Sequence, residues 1–176
     1  MPHIHTGDGE HDHTASAYII RTDFEEPKLI LHLHKKLHKY IQFGGHIEVT
    51  ETPWQAITHE LLEETGYELS QLKLLQPYER IKSLTGAKLH PVPMYHNTHN
   101  FNETHFHTDI AYVFVTNEKP KHAIADTESS DLLLVSRSEL IALRPEQTFE
   151  SVREPGLFVF DTCLPNWEQV DPTEFN

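Results

Sequence analysis

Cysteine is nearly absent from this 176-residue chain, Cys163 being the only one. That excludes an intramolecular disulfide and a cysteine-rich zinc site. Basic residues are also scarce: 14 Lys and Arg stand against 27 Asp and Glu, a formal net charge of −13. So acidic a surface is unsuited to a nucleic acid polymer or an anionic membrane, and neither is expected as a partner. A phosphate-bearing ligand would have to be neutralised by something other than side chains, divalent cations being the obvious candidate. Long apolar runs are missing too; Asp131-Leu-Leu-Leu-Val135 is strand-sized and spans no membrane. Met1 to Glu10 has neither the basic nor the apolar region of a signal peptide, so a cytoplasmic location is expected. No internal repeat interrupts the chain.

What is present suits one core. Apolar residues make up 38% and aromatics 10%, too many for disorder throughout, and the length allows one domain rather than two. The 15 histidines outnumber Lys and Arg together. They gather at His3, His5, His11 and His13, at His32, His34 and His38, and from His90 to His107. Residues 1–13 read as a loosely held His-rich arm and 14–176 as a single domain. Strands are expected at Thr14 to Arg21, Leu29 to Leu33, Leu72 to Gln76, Asp109 to Thr116 and Leu132 to Val135. Lys82 to Thr108 reads as a long polar loop. Strands mixed with two or three helices indicate an α/β layered domain.

The clearest element is a helix from Pro53 to about Thr65. Thr52 can cap it, Pro53 suits the first helical position, Gln55 completes a capping box, and Gly66 ends it in a left-handed turn. Ser136 to Glu139 reads as a second capping box before Leu140 to Leu143. In the first helix Glu60, Glu63 and Glu64 stand at i, i+3 and i+4 and share a face, while Trp54, Ile57, Leu61 and Leu62 are expected to pack. Three adjacent carboxylates repel by a few tenths of a kcal/mol per pair, roughly, which a purely structural helix has little reason to carry. An oxygen-only cluster suits a hard cation such as Mg²⁺ or Mn²⁺. Taken alone, the three glutamates fit a solvated acidic face equally well.

Gly45, Glu51, Glu60, Leu61, Glu63, Glu64 and Gly66 fall at seven of the nine specified positions of the Nudix box, over residues 45–67. The chain resembles the Nudix hydrolase family on these residues. His13-Thr-Ala-Ser-Ala17 and Gly44-Gly-His46 are further similar to a bacterial subgroup of that family. The resemblance implies an α/β/α sandwich with a mixed sheet between helices. It also implies metal-dependent hydrolysis of a nucleoside diphosphate linked to another moiety, by water attack on phosphorus. By similarity Glu60, Glu63 and Glu64 hold the metal with the Gly44 carbonyl, and Glu51 orients loop and helix. A distal carboxylate is a family habit, with Glu103, Asp109 and Glu79 as candidates. A homodimer is expected on the same ground.

Two positions depart from the box: His59 replaces its Arg and Tyr67 its last aliphatic residue. A His can donate a hydrogen bond but is cationic only part of the time near neutral pH. The alternative reading is therefore a catalytically impaired Nudix-fold nucleotide-binding module. A diphosphate isomerase is set aside because its cysteine belongs early in the fold and Cys163 lies far downstream. A His-rich metal-buffering protein is the third rival. His99, His105 and His107 admit a softer metal site for Zn²⁺ or Ni²⁺, or contacts to phosphate. Exposed loop histidines are the preferred reading. Cys163 and Trp54 are expected in the core, and Tyr40, Phe43 and Tyr95 are more readily packing residues than base-stacking ones.

Overall fold

The computed structural model describes residues 11–100 and 103–175; His3 and His5 of the expected arm lie outside them. Among the described residues nine strands form one mixed sheet. β1 (His11–Arg21) and β7 (Phe106–Thr116) run parallel at its centre, paired from His11↔Phe106 to Arg21↔Thr116. β1 is buried almost end to end, as a central parallel strand must be.

The other strands divide the edges of these two. On β1, β4 (Phe43–His46) takes the first half and β2 (Lys28–His34) the last residues. On β7, β6 (Tyr95–Asn100) and β5 (Lys73–Gln76) do the same. β3 (Lys39–Ile41) and β8 (Leu132–Val135) both pair with β2, and β9 (Glu168–Val170) closes the far edge on β5.

Helices cover both faces. α1 (Pro53–Thr65) lies on one, over Ala15, Ala17, Ile19, Tyr112 and Phe114. α2 (Arg137–Ala142) and α3 (Glu150–Phe158) lie on the other, over Tyr18, Ile20, Leu29 and Val113. The alternation along β1 assigns odd-numbered residues to the α1 face and even-numbered ones to the opposite face. The expected α/β/α sandwich with a mixed sheet is what forms.

Three expectations need correction. The arm does not reach residue 13, because His11 to His13 pair with Phe106 to Thr108 inside β1. The 82–108 loop contains β6, whose polar, exposed residues show no strand alternation and are held by β7. Leu62 does not pack: it is 44% exposed, on the helix side away from Ile57 and Leu61.

Candidate active site

α1 is built as its ends suggest. The Thr52 hydroxyl accepts from the Gln55 N–H and the Gln55 side chain accepts from the Thr52 N–H, while Gly66 takes the left-handed turn at φ 73°. Trp54, Ile57 and Leu61 are fully buried, Trp54 lying edge-on to Tyr112. Each contributes roughly 1.5–3 kcal/mol, enough together to draw neighbouring polar residues under cover. At about 100° per residue, Glu64 sits about 40° from Glu60 toward Leu61, whereas Glu63 sits about 60° the other way. The structure follows this geometry: Glu60 and Glu64 are buried and Glu63 is exposed.

The two buried carboxylates reach β4. The Gly44 N–H donates to Glu64 Oε2 at 2.7 Å. Gly45 leaves space for Glu60; a Cβ there would stand 2.1 Å from Glu60 Oε1. Burial pushes the Glu60 carboxyl up to about 7 and the Glu64 carboxyl well above the ordinary carboxylate range. Their neighbours supply little positive charge. His32 Nδ1 lies 3.7 Å from Glu64 Oε1, but burial pushes this imidazole down to about 4, so it is neutral at physiological pH. Among the described residues no Lys or Arg pairs with either glutamate. A buried all-oxygen pair with no Lys or Arg beside it fits a hard divalent cation.

His59 stands between two glutamates, with Nδ1 3.0 Å from Glu51 Oε1 and Nε2 3.9 Å from Glu60 Oε1. Glu51 Oε2 also accepts from the Glu48 N–H at 3.4 Å, joining the loop to the helix. Tyr67, the other departure, is buried like an aliphatic residue and its hydroxyl donates to the Glu118 carbonyl at 2.8 Å.

The distal carboxylates named from sequence do not join this group. Asp109 is buried on the sheet face turned from α1, where its Oδ1 accepts from Thr14 and Ser16, each at 2.9 Å. Glu103 is exposed between β6 and β7, and Glu79 is exposed beyond β5. Sequence reasoning missed Glu128, a half-buried residue in the loop from β7 to β8. Its charge helps raise both Glu60 and Glu64. That loop is fastened to the end of α1: the His122 N–H donates to the Gly66 carbonyl at 3.1 Å and the Ala125 N–H to the Glu63 carbonyl at 2.9 Å. No local pattern marks Glu128; only the backbone bonds bring it here.

The preferred reading of the distal histidines is overturned in part. His99 is exposed, but His105 is only 5% exposed and His107 is half-buried on β7. Trp54, Phe43 and Cys163 are core residues, as expected. A cleft of about 400 Å³ opens beside the box, lined by Asp12, Ile47, Glu48, Val49, Glu51 and Ile110 among others. Glu60 and Glu64 lie outside its lining.

The family model for the NUDIX domain matches residues 12–154. Among curated proteins none matches the chain. Several solved structures do. A NUDIX family hydrolase from Clostridium perfringens is 29% identical, with a TM-score of 0.68 over 85% of this chain and 95% of that one. A C. elegans Ap4A hydrolase is 14% identical, with a TM-score of 0.59 over 86% and 95% of the two chains. The E. coli dihydroneopterin triphosphate pyrophosphohydrolase is 17% identical, with a TM-score of 0.53 over 84% and 93%.

Proposed function

The chain belongs to the Nudix family, and from that membership we propose that it is a cytoplasmic pyrophosphohydrolase acting on a small nucleotide or nucleotide derivative. The bond cleaved is the diphosphate link between a nucleoside phosphate and another moiety, with Mg²⁺ or Mn²⁺ as cofactor. The observation that carries this reading is the pair Glu60 and Glu64, buried against Gly44 and Gly45 with no Lys or Arg partner among the described residues.

Glu60 and Glu64 would hold the cation, with Glu63 at the exposed rim and the Gly44 carbonyl beside them. Such an ion neutralises the diphosphate and lowers the pKa of the attacking water. His59 fixes Glu60 against Glu51, which keeps the orienting place of the box Arg. Glu128, on the loop bound to the end of α1, is assigned the water's proton. The neighbouring cleft has the size of a small-molecule site and would receive the moiety beyond the phosphates.

The test is a product assay over nucleoside triphosphates, dinucleotide polyphosphates, nucleotide sugars and ADP-ribose, with Mg²⁺ or Mn²⁺. Hydrolysis of one member, abolished by chelator and in Glu64→Gln, is expected. Turnover that survives either treatment would overturn the reading. If no member reacts at any pH, the binding module becomes the better account.

A further inference from the structure

A second cluster lies on the other face of the sheet, apart from the glutamates of α1, and only its Asp12 also borders the cleft described above. Asp12 lies near the start of β1, His105 just before β7 and His107 at its second position. One ligating atom from each lies within 4.8 Å of the other two. Asp12 is 1% exposed and His105 5% exposed. His105 Nε2 stands 3.2 Å from Asp12 Oδ2, and His46 Nε2 approaches the same oxygen at 3.5 Å. The His105 and His46 rings both meet His107, with centroids 5.4 Å and 5.2 Å away.

These separations are informative. An ion that binds nitrogen and oxygen tetrahedrally at about 2.0–2.2 Å sets its ligands about 3.4 Å apart. Two of the contacts to Asp12 Oδ2 already have that spacing, and the His107 ligating atom stands within 4.8 Å of those of Asp12 and His105. Three imidazoles and one carboxylate form a borderline donor set, suited to zinc-class ions and poorly matched to Mg²⁺. The all-oxygen pair on α1 has the opposite preference.

We propose that Asp12, His105 and His107, with His46 as fourth ligand, bind one zinc-class divalent cation, separately from the glutamates of α1. The ion ties the starts of β1 and β7, whose paired residues at this end, Asp12 and His107, are far apart in sequence. His46 extends the tie to β4, directly after the glycines that face Glu64 and Glu60. The site is a staple for the centre of the sheet.

Cobalt(II) titration of the full chain, with Mg²⁺ in large excess, tests this by the visible ligand-field bands of nitrogen-bound cobalt. About one equivalent is expected, displaced by Zn²⁺ and unchanged in Glu60→Gln/Glu64→Gln protein. His105→Asn/His107→Asn should abolish the signal. The half-buried His107→Gln and the rim His46→Gln variants, each verified as folded by melting, should weaken binding by at least about 10-fold, since even outer-shell partners are worth roughly 10–100-fold. Three results overturn the proposal: no signal in the natural chain, a signal that depends on Glu60 and Glu64, or full binding in folded His107→Gln protein. The last would assign cobalt to other histidines, those of residues 1–10 among them.

Discussion

At Glu60 the needs of folding and of ion binding oppose each other. The carboxyl rises from 4.5 to about 7 because burial penalises its charge. Between these values the metal-free folded chain binds more protons than the unfolded one, so stability falls as pH rises through that window. Above it the cost is roughly 3 kcal/mol. Glu60→Gln cannot ionise. In chelator at pH 8 the variant should melt roughly 5–10 °C above the natural chain, and near pH 5 the two should converge. Melting curves that coincide at both pH values would show that Glu60 ionises without cost. His32 shifts in the opposite sense, losing stability as pH falls from 6.5 to about 4, but it is common to both proteins and leaves their difference intact.

At the scale of elements, α1 and the loop from β7 to β8 act together. Gly66 adopts φ 73°, and a Cβ there would lie 2.1 Å from the His122 carbonyl oxygen. Gly66→Ala therefore combines a left-handed penalty of about 1 kcal/mol with displacement of the loop that carries Glu128. A melting temperature lowered by at least about 3 °C is expected, together with a fall in kcat larger than the change in KM. Unchanged kcat would remove Glu128 from the reaction. α1 was legible because its signals are local: Thr52, Pro53, Gln55 and Gly66 act within a turn of their own positions. α3 offers no such pattern. Pro155 and Gly156 lie inside it, and Gly156 is accommodated because Leu140 and Leu29 crowd the place where a Cβ would stand. After Pro155 the helix widens into a five-residue π turn over Val159–Cys163.

For the whole molecule, Cys163 reports on integrity. It is fully buried, and burial pushes its thiol up to about 12. At pH 8 an aromatic disulfide reagent should label the native protein negligibly and take one equivalent in denaturant. Rapid native labelling would mean that the π turn after α3 opens readily. The same long-range packing limits what sequence can reveal of the sites. Glu60 and Glu64 were visible as a spacing. Glu128 and the set of Asp12, His105 and His107 depend on pairings between distant segments, and no window of sequence contains them. Asp109, one of three distal carboxylates the sequence offered without choosing among them, is held on the far face by Thr14 and Ser16.

The parallel pairing of β1 with β7 also sets an order in time. Residues 11–21 meet residues 106–116, so the sheet cannot close until most of the chain exists. α1 lies against both strands, through Ala15 and Ala17 on one and Tyr112 and Phe114 on the other. During synthesis the acidic helix emerges roughly fifty residues ahead of its second support, and closing that long loop, rather than forming any helix, should limit the rate of folding.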